Sequence, residues 1–496
     1  MISHVSFRFI LLTATAAVIV GPTAVTPAAA STIGSFTPGD LVISTVSSYN
    51  GGGLDTAAPI VLDQFQLNAN GTSATANGTL VLPQTSSGAN SAISGEYGSA
   101  SEGILQQSAN GQYLTIMGYG VNATTFNTAA PSTYGTAALG QTKSLTAANQ
   151  TGTVVTTVPR VVALIGGDAS VNTTTALTGV FNTNNPRSAA TVDGSSFYVS
   201  GQGGSKTDPT QGVFYAKLGA TTATPIDTST DTRVASIVNT GSGNTLYVSR
   251  DQNPSGSGGQ NFTNVSSLTT ASGALPTSST GVITTHIIPP ASPFSLGGNN
   301  GSINVTTATE NGVNNSRLGK FVYLSPESYF FASPTVVYVT DSGQPKNGNA
   351  NAAALGEGGL QKWVMTTSGW TLEYDLVAGL NLVNNATANS NTPTAAGVTG
   401  LLGLTGRIVD GNVELFATSY GLNELSASYL YEITDSLAAT TPGTEKFVTL
   451  YSAPTGTLIR GVAFAPVPEP ASIALVGFGL AGLALLRRRR RTSAPA

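Results

Sequence analysis

The chain has 496 residues, of which only 9% are charged, no cysteine, two histidines and a formal net charge of −4. A balance so sparse and slightly acidic excludes an electrostatic grip on nucleic acid or anionic lipid, and the lack of cysteine excludes disulfides and thiolate chemistry. Solubility has to come from Ser, Thr, Asn and Gly.

At the N-terminus, Met1 to Arg8 carries a positive residue, Phe9 to Val20 is apolar, and Ala28, Ala29 and Ala30 offer small residues for cleavage before Ser31. The pattern predicts a secretory signal peptide over 1–30. A retained anchor helix is the alternative, which Gly21 and Pro22 oppose by breaking the run. Without the signal and the tail after 466, the passenger 31–466 keeps 14 basic and 23 acidic residues, a net charge of −9. Its one histidine, His286, lies in the apolar run THIIPP with no acid or nucleophile nearby, and is expected to be an ordinary strand residue.

A repeat runs through the passenger. Arg187 to Ser200 (RSAATVDGSSFYVS), Arg233 to Ser249 (RVASIVNTGSGNTLYVS) and Arg407 to Thr418 (RIVDGNVELFAT) each join an arginine, a β-prone run, a Gly/Asn/Asp turn and an aromatic-centred strand. Such a unit predicts a β-hairpin. Partial copies occur at Gly111 to Met117 and Thr335 to Thr340, and further strands are expected at Gly212 to Leu218, Leu360 to Met365 and Tyr429 to Ile433. Three or four strands recurring every 50 to 90 residues or so suit a β-propeller blade better than a helical solenoid. A β-helix or β-sandwich array is the alternative. Asp40 to Val46 (DLVISTV) reads as a second strand without a first, and Arg460 to Pro466 (RGVAFAP) as a first without a second. Pairing them would close the ring and remove two exposed edges. The expected fold is therefore all-β, a single propeller of six or seven blades: the shared one, hairpins at Tyr113, Tyr198, Tyr247, Tyr338 and Phe416, and a seventh hidden between Tyr119 and Asn185 or between Val282 and Lys320.

No residue cluster declares a catalytic chemistry. Trp363, Trp370 and Tyr374 fall on successive strands and could stack on sugar rings, with packing between blades as the alternative. Arg187, Arg233, Arg407 and Arg460 recur at one place in the repeat, where they could line a channel and bind an anion or bond to carbonyls of the neighbouring blade. A glycosidase needs two carboxyls facing one bond. Glu373 and Asp375 share a strand face without convergence, and Asp168, Asp193 and Asp410 sit in turns, where Asp serves the backbone. Loops such as Asp251 to Asn253 could hold calcium but lack fixed ligand spacing. No catalytic residue, cofactor or metal is expected.

The tail 467–496 holds Val467, Pro468, Glu469 and Pro470, a sixteen-residue apolar run from Ala471 to Leu486, then Arg487, Arg488, Arg489, Arg490 and Arg491. As a helix the run spans roughly 24 Å, slightly less than the bilayer core of about 30 Å. The arginines would stay cytoplasmic and keep the passenger outside, while the prolines keep the preceding strip extended. Order, spacing and position resemble the PEP-CTERM sorting signal of Gram-negative bacteria that make exopolysaccharide. The resemblance implies a partner, the membrane protease exosortase, a membrane-anchored stage before processing, and delivery to the cell surface or extracellular matrix. An ordinary anchor is the alternative. GLQKW (Gly359 to Trp363), WTLEY (Trp370 to Tyr374), GLTG (Gly403 to Gly406) and the terminal RGVAFAPVPEP also resemble secreted PEP-CTERM proteins expected to be propellers, a group that brings no activity with it. The expected function is a structural or binding component associated with exopolysaccharide. The alternatives are an extracellular polysaccharide-acting hydrolase or lyase, and an adhesin with glycosylated loops.

Overall fold

The repeated run, turn and aromatic strand fold as hairpins. Val398–Val409 pairs with Asn412–Gly421 up to Val409↔Asn412, which leaves Asp410 and Gly411 as a two-residue turn with φ of 50° and 79°. Two positive φ values in succession match the twist of paired strands, and Asp and Gly tolerate them. Pro186–Ala190 with Ser196–Gly201, and Ala235–Asn239 with Asn244–Arg250, are the other full copies. The computed structural model describes residues 31–468 except 69–70, 100, 206, 242, 251–263, 289–301, 306–308, 311–319, 324, 344–357, 368, 383–396 and 422–424, with backbone alone for 264, 302–305, 309–310 and 320–323.

Four antiparallel meanders stand as separate blades. The first runs from Pro186–Ala190 to Thr224–Asp227 and the second from Ala235–Asn239 to Ile283–Ile288. The third runs from Pro326–Ser333 to Gly369–Leu376, and the fourth from Val398–Val409 to Val448–Ser452. Among the described residues the count of separate blades is four, which corrects the expected six or seven. The shared strands and the Tyr113 hairpin are present, but they merge into one nine-stranded sheet. The cause is the 11-residue strand Ala57–Leu67. Its C-terminal part pairs with Ala74–Val81, while Ala57 to Pro59 pair with Ser94–Glu96, which in turn meets Tyr113–Tyr119. The interval 120–159 holds two short helices, Ala123–Thr128 and Pro131–Tyr134, where a seventh blade had room.

The two ends meet as the orphan strands predict. Thr457–Phe464 pairs antiparallel with Leu41–Ser47, from Leu41↔Phe464 to Ser47↔Thr457. Inner strands then follow one another in a closed circuit: Pro186–Ala190 packs beside Ala235–Asn239, the second blade beside Pro326–Ser333, and that strand beside Val398–Val409. The circuit continues through Thr457–Phe464 and Gln106–Gln107 back to Pro186–Ala190. It encloses a channel of about 320 Å³ lined by Gln106, Ile237, Tyr329, Phe331, Leu404 and Val462, among others. This is a propeller arrangement, and its core lies between adjacent sheets. Leu41 and Ile43 of the nine-stranded sheet pack with Phe416 and Leu430 of the fourth blade, each such side chain contributing about 1.5–3 kcal/mol by leaving water.

One lock between blades is ionic. Lys362, fully buried on Gly359–Thr366, donates to Tyr374 Oη at 2.9 Å, Ser436 O at 2.7 Å and Ala439 O at 2.9 Å, and pairs with Asp435 at 3.1 Å. Asp435, from the fourth blade, also accepts from the hydroxyls of Tyr338 and Tyr374. Every ammonium proton has a partner among the described residues. Burial lowers the Lys362 pKa, and the charge of Asp435 opposes that shift.

Among the described residues no helix is long and apolar enough to cross a membrane. The expected span 471–486 and the signal 1–30 lie outside them.

Candidate functional site

A second buried charge cluster has a different ending. Glu96 closes the short strand Ser94–Glu96, and Glu102 follows in the loop. Tyr119 and Arg160 are cross-strand partners at the ends of Tyr113–Tyr119 and Arg160–Gly166. Glu102 Oε1 accepts from the Glu96 N–H and Oε2 from the Tyr119 hydroxyl at 2.9 Å; that hydroxyl also lies 3.2 Å from Asn185 Oδ1. Arg160 stands over the Tyr119 ring at 4.7 Å and donates to the carbonyls of Thr142, Val158 and Phe181.

Glu96 looks the other way. It is 5% exposed, its Oε1 accepts from Gly140 N–H at 2.8 Å, and the same residue lines a cavity of about 590 Å³ with Asp55, Gln141, Lys143, Asn184 and Asn185. Its Oε2 has no hydrogen-bond partner among the described residues. Gly140 is needed for the shape: a Cβ there would stand 2.7 Å from Asn185 Oδ1 and 2.7 Å from Glu96 Oε2. No aromatic ring lines the cavity.

Burial dominates the electrostatics. It pushes the Glu96 carboxyl up to about 8, helped by the charge of Glu102 and, less, of Asp55, while the Gly140 N–H and Arg460 pull it down. Glu102 rises to about 7, again through burial, against its hydrogen bonds and Arg460. Desolvation also raises the Tyr119 phenol and lowers Arg160 to about 10. At neutral pH the Glu96 carboxyl is mostly a protonated acid, able to donate a hydrogen bond into the cavity.

The residues singled out by sequence sit elsewhere. Trp363, Trp370 and Tyr374 are buried at 0%, 6% and 0% exposure, which corrects the sugar-stacking expectation: packing between blades takes the faces a sugar would need. Trp363 Nε1 donates to Gln361 Oε1, Trp370 meets Phe331 edge-on, and Tyr374 belongs to the Lys362 lock. None of the four repeat arginines lines the channel. Arg187 pairs with Asp231, from the connection to the following blade, and Arg233 with Glu327 of the blade after its own. Arg460 is buried and acts on Glu96 and Glu102. Arg407 departs from the pattern, half-exposed against Glu414 at 2.6 Å and over Phe464. Asp168 and Asp193 receive the hydroxyl and N–H of Ser170 and Ser195, bonds that lower their pKa values. Glu373 and Asp375 form no joint site; Asp375 is buried. His286 Nδ1 shares a hydrogen bond with Ser266. Among the described residues no group of three metal-ligating side chains converges, and Asp251 to Asn253 lie outside them.

Of the sorting residues, Val467 and Pro468 are described and Glu469, Pro470 and Arg487 to Arg491 are not. Ala465 N–H bonds to Asp40 O at 2.9 Å and Val467 N–H to Gly111 O at 2.8 Å. Pro466 is buried and Val467 and Pro468 are exposed, so the chain stays tied to the ring through Val467, three residues past its last pairing strand.

Sequence reasoning missed Glu96, Glu102, Asp55 and Gly140. The available signal was two glutamates six residues apart among glycines (GEYGSASEG) in a chain this short of charge.

A PEP-CTERM protein-sorting motif matches residues 466–491. The motif marks the chain as exported and sorted by exosortase, a membrane protease, with a membrane-anchored stage before it reaches the surface. No curated protein matches. Among solved structures, the chain is similar to the β-propeller domain of the trilobed protease from Pyrococcus furiosus, at 9% identity and a TM-score of 0.30 over 86% of this chain and 100% of that one. It is also similar to a protein from Bacteroides fragilis described as exported, at 8% identity and a TM-score of 0.27 over 70% of each. Likenesses this distant carry no argument; the propeller arrangement rests on the strand pairing.

Proposed function

We propose that this propeller is a structural or binding component of the cell surface or extracellular matrix, associated with exopolysaccharide and delivered by its sorting tail. The observation that carries the reading is the sorting motif at 466–491, directly behind the ring-closing strand. The domain plan follows: signal over 1–30, passenger over 31–466, sorting and anchor segment over 467–496 with its helix at 471–486. Intact mass of protein from membranes and medium, with and without the protease, tests the delivery. The tail should be missing only where the protease is present. Retention on the cell's own exopolysaccharide, without release of reducing ends, tests the role.

A second reading, a polysaccharide-acting hydrolase, is favoured by one observation. Asp55 and Glu96 line the same cavity, and glycoside hydrolysis uses an acid that holds its proton beside a second carboxyl. Reducing ends released by the protein, and lost in both Glu96→Gln and Asp55→Asn, would select it over the binder.

A further inference from the structure

We infer that the cavity between Asp55, Glu96 and Gln141 is a binding site for one or two units of a neutral, hydroxyl-rich sugar. The inference rests on the polysaccharide-associated reading and gives it a place on the molecule.

Three polar groups face this cavity without internal duties that exhaust them. Glu96 is nineteen-twentieths buried, yet its Oε2 accepts nothing from the described residues while its Oε1 is held by Gly140. Asp55 is exposed and its side chain takes part in no hydrogen bond among the described residues; only its backbone is tied, N–H to Tyr97 O at 2.7 Å and carbonyl to Leu139 N–H at 2.8 Å. Gln141 uses only its oxygen, toward Thr136, and leaves its amide hydrogens free. A carboxyl whose Oε1 is held by Gly140 and whose backbone is held by Glu102, with Oε2 unpartnered among the described residues in a residue that lines the cavity, points to a group that arrives from outside.

Charge and shape narrow what arrives. Lys143 and Asp55 offset one another at the rim, so neither an anion nor a cation is favoured overall. A metal ion lacks its ligand set here. A protonated Glu96 and the Gln141 amide donate, Asp55 accepts, and a sugar hydroxyl does both. The volume of about 590 Å³ falls within the roughly 300–1,000 Å³ usual for small-molecule sites. With no aromatic platform, recognition is by hydrogen bonds alone.

The test is titration of the full-length protein, by saturation-transfer NMR and calorimetry, with neutral gluco- and manno-oligosaccharides of two to four units and with matched oligosaccharides carrying a uronate. The neutral sugars should bind, at least tenfold more tightly than the acidic ones. Glu96→Ala should weaken binding tenfold or more, while Glu96→Gln, which keeps a donor at that point, stays within about threefold of the wild type. Asp55→Asn, at an exposed position with no role in folding, should also weaken binding. Preference for the uronate sugars, or unchanged binding in a folded Glu96→Ala and in Asp55→Asn, would overturn the site. Retention on whole exopolysaccharide is measured in parallel. Retention that ignores Glu96→Ala sinks the site and leaves the surface reading standing. Oligosaccharide binding that depends on Glu96, without retention, does the reverse.

Discussion

Two clusters in this molecule are made from the same parts, a cation, carboxyls and tyrosines, all removed from water. Around Lys362 the ammonium group is matched across the seam between two blades, and among the described residues the side chain is fully buried. Around Glu96 the matching is incomplete: Glu96 Oε2 and Arg160 Nε find no hydrogen-bond partner among the described residues, and Glu96 lines a cavity. Burial and shifted pKa values occur in both, so neither separates a lock from a site. What separates them is whether the last polar atom ends on protein or on open space.

The sharpest way to break the contrast is Lys362→Met. Removing one partner of a buried pair leaves Asp435 without its cation, and chemical denaturation should show a loss of about 3–5 kcal/mol, with oligosaccharide binding unchanged in the folded fraction. A pH series comes next. Glu96 and Glu102 hold protons in the folded state up to about 8 and 7, whereas unfolded glutamates release them near 4.5. Between those limits the folded state binds more protons, so stability is greatest at the acidic end and falls as pH rises toward 8. The slope is at most about 1.4 kcal/mol per pH unit for each excess proton. Thermal unfolding at pH 5 and pH 9 should show the drop, and Glu102→Gln should flatten it. Gly140→Ala acts on the cavity directly. Its methyl meets two oxygens at 2.7 Å, which should cost about 1–3 kcal/mol by overpacking and abolish sugar binding. Arg407→Ala supplies the baseline: this pair is partly exposed, and its loss should change stability by less than about 1 kcal/mol.

The hairpins were readable because a β-prone run, a turn of Gly, Asn or Asp and an aromatic-centred strand are local signals, and Asp410 with Gly411 is such a turn. Ring closure was readable from two strands that each lacked a partner. The blade count was not, because Ala57–Leu67 divides its length between two partners, and pairing of that kind leaves no mark in composition. Trp363 and Trp370 left two readings open, stacking on a sugar or packing between blades, and their burial fits the packing. A blade buries both of its faces between neighbours, so an aromatic on either face ends inside. The cavity was illegible because Asp55, Glu96, Gly140 and Asn185 come from a turn, a strand end, a short helical turn and a loop separated by up to 130 positions of chain, brought together only by the fold.

The strand that closes the ring, Thr457–Phe464, lies immediately before the sorting motif at 466–491. A ribosome therefore makes the closing strand and the address label together, after everything else. A copy that stops before Thr457 lacks both: one edge of Leu41–Ser47 is left without its partner, and the sorting motif is missing. In such a truncated copy, closure of the ring and the delivery signal are lost together.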